Sequence, residues 1–221
     1  KHGALVDYHA RAAIAATVDV ILSRSITGNS IGAKLTIPQG TLFTDSSGNS
    51  WLSARDVTWY SNVTTCKVPI IQHEKYTASA LNNMLIPTGD RVIVHLGTLP
   101  NGKYYEQGSM SLQIGGETWV LVDTFAKSKP TDKHFMVSVD EALNPYIMFG
   151  DGTFGKKPAA GAKITNVVFY LTNGSQGNVK SNTITSVPSI ISSSITDATV
   201  SNAYDAGGGS NYENFTMLKE H

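Results

Sequence analysis

Apolar and polar residues alternate along most of this chain, in short runs broken by glycine, proline, asparagine and aspartate. In 17–23, Val18 and Val20 alternate with polar neighbours, as in a strand with one wet face. Residues 33–37 form another short strand, closed by Pro38-Gln39-Gly40, where proline pre-sets φ and glycine supplies a positive φ. Extended structure resumes at 41–44. Asp45-Ser46-Ser47-Gly48-Asn49 is a hairpin-type loop, Trp51-Leu52 begins the return, and 59–71 is further strand. Residues 91–96 predict a strand, and Leu99-Pro100-Asn101-Gly102-Lys103 a turn. The stretch 111–125 predicts a hairpin about Gly115-Gly116, followed by a polar loop at 127–133. Strands at 134–139 and 146–149 precede the longest β run, 163–172, whose Val167-Val168-Phe169-Tyr170-Leu171 is apolar enough for burial on both faces. In 77–86, Leu81, Met84 and Leu85 could form one helical face, against which Asn82-Asn83 argue. The Ser/Thr/Ile-rich stretch 181–200 fits strand or irregular structure.

Helical character is confined to the ends. Residues 5–16 are Ala-rich and predict a short helix with Asp7 in its first turn. Residues 212–219 predict a second, with Ser210 or Asn211 as N-cap and Glu213 in the first turn. The expected fold class is therefore mainly β with some α (α+β): many short antiparallel strands in a sandwich- or barrel-like module, with helical segments near the termini.

Length and charge narrow the function. The 221 residues suit one large β domain or two small ones. Only 15% of residues are charged, against about 25% in an average domain, so Ser, Thr, Asn and Gly must cover the surface. Lys plus Arg and Asp plus Glu are 17 each. That balance lacks the basic excess of a nucleic-acid binder; the densest basic spot is the pair Lys156-Lys157. It also leaves little self-repulsion, which suits a subunit that assembles. The lone Cys66, in the alternating run 63–68, cannot form an intrachain disulfide and reads as a small buried hydrophobe. No run approaches the roughly 18 apolar residues of a membrane span, and no secretory leader pattern is present. The chain begins with Lys1 rather than Met, which reads as a piece of a longer protein, and His221 as the trace of an expression tag.

Catalytic patterns are missing from the sequence. The histidines at 2, 9, 73, 95, 134 and 221 include no helical i,i+4 metal pair, and there is no Cys-x-x-Cys or Gly-x-Ser-x-Gly. His95 and His134 lie in strand runs and read as structural. No catalytic residue, metal ligand or cofactor site is assigned, and the chain reads as non-enzymatic.

The most conspicuous segment is 149–161, with three readings. A phosphate cradle needs a helix N-terminus behind it, whereas Pro158 and a strand follow. A calcium loop needs six or more oxygens, whereas Asp151 is the only acid. A tight strand reversal needs glycines such as Gly150 and Gly152 around Asp151, and this reading is preferred. The structural motif residues are thus Phe149, Gly150, Asp151, Gly152, Gly155, Pro158 and Gly161, with Pro38 and Gly40 upstream. The run Gly207-Gly208-Gly209 reads as a flexible connector, or as a hinge or close-approach surface for a neighbouring subunit. Tyr212, Phe215 and Leu218 belong to the same interface expectation.

Taken in order, these segments resemble the baseplate J-like family of phage contractile tails. The stretch Tyr146-Ile147-Met148-Phe149-Gly150-Asp151-Gly152 with Gly155, Lys156, Lys157, Pro158 and Gly161 resembles the family's signature strand-turn-strand. The strand ending in Thr172-Asn173-Gly174-Ser175-Gln176-Gly177-Asn178 is similar to the turn that follows it. Asn202-Ala203-Tyr204-Asp205-Ala206-Gly207-Gly208-Gly209 resembles the segment before the family's acidic helix start. Leu35-Thr36-Ile37-Pro38-Gln39-Gly40-Thr41 is similar to its Ile-Pro-x-Gly-Thr turn. The resemblance covers roughly 13–219 except about 67–138. It implies an outer β/α domain of 1–66 plus 139–221, with 67–138 as an inserted small β domain. It further implies a structural part of a baseplate wedge in a phage, prophage or contractile injection system. The partners would be copies of itself and other wedge proteins, with no nucleic acid, small-molecule substrate or cofactor. The location would be the virion, after assembly in the bacterial cytoplasm. The rival reading is a glycan-binding or adhesin-type module with Trp51, Trp59 and Trp119 stacking on sugars, although all three lie in strand runs where burial is the default.

Overall fold

The computed structural model describes residues 12–26, 34–78 and 83–213. Its strands are β1 (Thr17–Ser23), β2 (Leu35–Ile37), β3 (Leu42–Asp45), β4 (Ser50–Ser53), β5 (Val57–Trp59), β6 (Thr65–Ile71), β7 (Glu74–Thr77), β8 (Ile93–His95), β9 (Tyr104–Tyr105), β10 (Ser111–Ile114), β11 (Glu117–Leu121), β12 (His134–Val139), β13 (Pro145–Phe149), β14 (Ile164–Thr172), β15 (Ile184–Ser186) and β16 (Thr199–Ser201). Helix among the described residues is limited to α1 (Ser189–Ser192) and a 3-10 turn at Gly174–Gly177.

The fold is therefore nearly all β, which corrects the expected α+β class with helical ends. The described part of the Ala-rich N-terminal segment is extended. Ile14 exchanges backbone hydrogen bonds with Ser210 at 2.8 and 3.0 Å, and the Ala16 carbonyl accepts from Gln72 N–H at 2.9 Å. Ala16 is fully buried where only a methyl fits, its Cβ lying close to Gly177 and Gly209. A few alanines cannot nucleate a helix against this many long-range bonds. At the other end Asn211, Tyr212 and Glu213 form no helix; residues 5–11 and 214–219 of the two predicted helices lie outside the described residues.

The chain divides into two compact units. One consists of Ile14–Glu74 and Thr172–Ser210. It holds a six-stranded sheet in the order β15-β3-β4-β6-β1-β16 and a small β2-β5 ribbon. Backbone contact between the two ends of that path, with Asn182 N–H donating to the Asn202 carbonyl at 2.8 Å, rolls the sheet toward a barrel. The core is Phe43, Trp51, Trp59, Leu22, Val68 and Ile70 with their neighbours, contributed by alternate positions of each strand.

The other unit is built chiefly on Lys75–Leu171. Its sheet runs β7-β14-β10-β11-β12-β13-β8, with β9 also on β14. Most neighbours are antiparallel, but β11 and β12 pair in parallel, which the polar loop at 127–133 permits by carrying the chain back across the sheet. The β10-β11 hairpin turns on Gly115 and Gly116, at φ +59 and +81, the double positive φ of a type I′ turn. In β14 alternate residues Val167, Phe169 and Leu171 are buried, while Val168 and Tyr170 are half-buried, so only one face meets the core. A one-residue slip in register against β10 accompanies Asn166 at φ +53 and marks a bulge.

Candidate functional site

The segment 149–155 closes β13 with a reversal made almost entirely of backbone. Phe149 is buried and meets the Trp119 ring edge-on, with centroids 5.3 Å apart, which anchors the entry to the turn. Gly150 is buried and packed on Gly155, where any Cβ on Gly150 would collide with the Gly155 carbonyl group. Gly152 and Gly155 take φ of +94 and +81, and the Gly152 N–H donates to the Gly155 carbonyl at 3.0 Å. The Asp151 carboxylate accepts the N–H groups of Thr153 and Phe154, both at 2.8 Å. Those two bonds, Phe154's first, hold its carboxyl below the usual range. Asp151 is thus a turn cap whose bound oxygen is already committed.

The remaining motif residues are also turn elements. Lys156 N–H donates to the Asp132 carbonyl at 2.7 Å, and Pro158 is buried. Gly161 takes φ +77 and donates to the Ile86 carbonyl at 2.9 Å. In the other unit the Pro38 carbonyl accepts Thr41 Oγ1 at 2.7 Å and Ser53 Oγ at 2.6 Å, while Gly40 takes φ +80.

The glycine run 207–209 is held at both ends. Gly207 exchanges backbone bonds with Thr17 at 2.9 and 3.2 Å. The Asn178 side chain clasps Gly209 with two bonds of 2.9 Å, one to its carbonyl and one from its N–H. A Cβ on Gly209 would run into the Gly174 carbonyl. Tyr212 packs near Tyr104, ring centroids 6.3 Å apart, and burial with the charge of Glu106 pushes its phenol up to about 12. Phe215 and Leu218 lie outside the described residues. The structure therefore gathers the 149–161 motif in one unit, and Pro38, Gly40 and the 207–209 run in the other.

Several residues that organise these units were not among the expected site residues. Asn202 is fully buried; its Oδ1 accepts Thr183 and Ile184 N–H at 3.0 and 2.9 Å, and its Nδ2 donates to the Lys180 and Tyr204 carbonyls, both at 2.9 Å. Gln72 is likewise fully buried and its Oε1 accepts Asn173 N–H at 2.6 Å and the Thr172 hydroxyl at 3.2 Å. The Asp45 carboxylate accepts Ser47 and Asn49 N–H, the Asn49 amide and Trp51 Nε1–H. Burial opposes ionisation of Asp45, but these bonds outweigh it and hold its carboxyl below the usual range. Arg24 lies 4.6 Å over the Trp59 ring and donates to the Val63 carbonyl at 3.2 Å.

Surfaces for a small ligand are fewer. Trp51, Trp59 and Trp119 are 0, 0 and 4% exposed, so none offers a face to a sugar. No group of three or more potential metal ligands occurs among the described residues. No described helix is long and apolar enough to cross a membrane. An open cleft of about 560 Å3 lies beside the 149–155 turn, lined by Arg91, Ile93, Phe125, Met136, Met148 and Phe154. Met136, Met148 and Ile93 sit in one cross-strand row on β12, β13 and β8.

No family model and no curated protein matches the chain. Among solved structures, a chain in the cryo-EM structure of the anti-feeding prophage (AFP) baseplate, 6-fold symmetrised, matches over 97% of this chain at 15% identity and a TM-score of 0.30. This chain spans 38% of that chain's length. At that TM-score the match establishes neither a shared fold nor a shared role.

Proposed function

We propose that this chain is a non-enzymatic building block of a phage-tail or contractile-injection baseplate, in a wedge subunit of the baseplate J-like type. The observation that carries this reading is where its buried polar groups go. Asn202, Gln72 and Asp45 accept or donate to main-chain atoms of their own unit, and they fix turns and seams. The most conspicuous motif, at 149–155, is a backbone reversal closed by glycines and capped by Asp151. Such a molecule offers geometry and surface. The zero formal net charge, and a surface rich in Ser, Thr and Asn, suit partly wet contacts with copies of itself and with other wedge proteins. On this reading the chain is assembled in the bacterial cytoplasm and remains in the particle.

The test is assembly. The chain is co-produced with the other baseplate and tail proteins of a contractile particle, and the particles are imaged by electron microscopy, with the chain located by a gold-labelled tag. Density for the chain in the ring around the tail hub is expected. Complete baseplates that lack the chain would overturn the proposal.

A further inference from the structure

The eight-stranded sheet ends at β8, and among the described residues this edge is open. The Phe149 N–H donates to the Val92 carbonyl at 3.2 Å and the Leu96 N–H to the Pro145 carbonyl at 3.1 Å. With the register Ile147↔Val94, these bonds show that Val92, Val94 and Leu96 turn their main-chain groups toward β13. Ile93 and His95 therefore turn their N–H and C=O groups away from the sheet, and they pair with nothing among the described residues. The ladder continues beyond the three strand residues, so the extended edge runs from Arg91 to Leu96. Along it Arg91, Ile93 and His95 are exposed, whereas Val92, Val94 and Leu96 are buried.

Natural edges are usually blunted by charge, proline or a bulge. The opposite edge, β7, carries Glu74 and Lys75. The β8 edge carries Ile93 and His95 and has neither proline nor bulge. Its outer face is also apolar: Ile93 is 37% exposed and continues the row of Met148 and Met136, with Phe154 54% exposed at the end of the cleft.

We infer that β8 pairs with β8 of a second copy of this chain, antiparallel about a two-fold axis at Val94, and so joins the two sheets into one. The parity of the edge accommodates this pairing. With Val94 on the axis, Ile93 of one copy faces His95 of the other, and each such pair exchanges both main-chain hydrogen bonds. Arg91 then faces Gly97, so no like charges meet across the seam, and the zero net charge of the chain adds no long-range repulsion. On the outer face the Met136-Met148-Ile93 row of one copy runs into the His95-Tyr146 pair of the other, whose rings are 5.5 Å apart within each copy. Ile93 of each copy then packs beside the His95 ring of the other, an apolar–aromatic cross-strand pair. An isologous interface of this kind closes on itself and forms a dimer, where a staggered one would grow without limit. The inference stands on the sheet edge alone and does not require the baseplate role.

The whole chain is examined by sedimentation equilibrium from about 1 μM to about 1 mM, a span that reaches weak association. Amide hydrogen exchange is measured at both ends of that range. The mass is expected to double, and exchange at the Ile93 and His95 amides to slow by about tenfold or more at the high concentration. Ile93→Lys and His95→Lys change solvent-facing side chains, so the thermal transition stays in place while the dissociation constant rises by at least about tenfold. A chain that stays monomeric throughout overturns the inference and leaves the edge to a strand of a different protein. So does a dimer in which exchange at Ile93 and His95 is unchanged, or one that the lysine variants do not weaken.

Discussion

Gly150 and Gly155 meet backbone to backbone: a Cβ on Gly155 would stand 3.3 Å from the Gly150 Cα, and a Cβ on Gly150 would enter the Gly155 carbonyl. Gly150 is thus required for space, whereas Gly161, at φ +77 with nothing within 4 Å of its Cβ position, is required for conformation. Gly150→Ala is expected to cost about 3 kcal/mol, at the upper end of overpacking. Gly161→Ala should cost about 1–2 kcal/mol, the strain of a left-handed alanine. Urea midpoints measure both. Equal costs would mean that the backbone contact does not hold the turn.

Asn202 closes the seam of the barrel-like unit by satisfying four main-chain groups at once. Asn202→Ala leaves those groups buried and unpaired, and a loss of about 2–4 kcal/mol follows. Asn202→Asp keeps the acceptor for Thr183 and Ile184 but loses both donors, so its carboxylate faces the Lys180 and Tyr204 carbonyls. It should be no more stable than the alanine variant at pH 7, and chemical denaturation of the two side by side decides the point.

Asp45 links stability to pH. Its carboxyl is held below the usual range in the folded chain, so its contribution is present above about pH 4, the unfolded value, and is lost as pH falls through the folded value. Asp45→Asn should therefore be less stable than the parent at pH 7 by about 1–3 kcal/mol. That gap should narrow at acid pH, once the fall passes through the folded value and the parent is also protonated. Denaturation at both pH values tests this, and a gap that is constant with pH would remove Asp45 from the acid response.

Asp151 caps its turn through a carboxylate that already accepts two N–H groups, and no further acid stands in the 149–161 segment. Added calcium, up to about 1 mM, where even weak extracellular sites fill, is expected to leave the melting temperature unchanged. A rise in melting temperature that Asp151→Ala abolishes would turn the turn into a metal loop.

Local chemistry made many elements legible. Gly115-Gly116 marked the β10-β11 hairpin, Asp45 to Asn49 the β3-β4 loop, and the alternation of 91–96 the strand β8, because a turn or a pleat depends on a few neighbouring residues. The glycines at 150, 152 and 155 were picked out for the same reason, although their division between space and conformation was not visible. Asn202 passed as one residue of a glycine-rich motif, since nothing in its neighbours tells which distant N–H groups it will meet. The cleft row Met136, Met148 and Ile93 comes from three strands and has no linear signature.

What the sequence determined by itself is the inventory of strands and turns, set by side-chain period and by the φ that glycine, proline, asparagine and aspartate allow. Tertiary structure decided the rest. It drew Ala15 and Ala16 out of a helix and into extended pairing, because long-range backbone bonds from this segment to Gln72, Gly207 and Ser210 outweigh the modest propensity of a short alanine run. It moved the chain from one unit to the other inside β7 and β14, where no glycine or proline marks the change. It also left β8 at the edge of its sheet. A strand's own residues set its pleat, but which strand lies beside it depends on the packing of the whole unit.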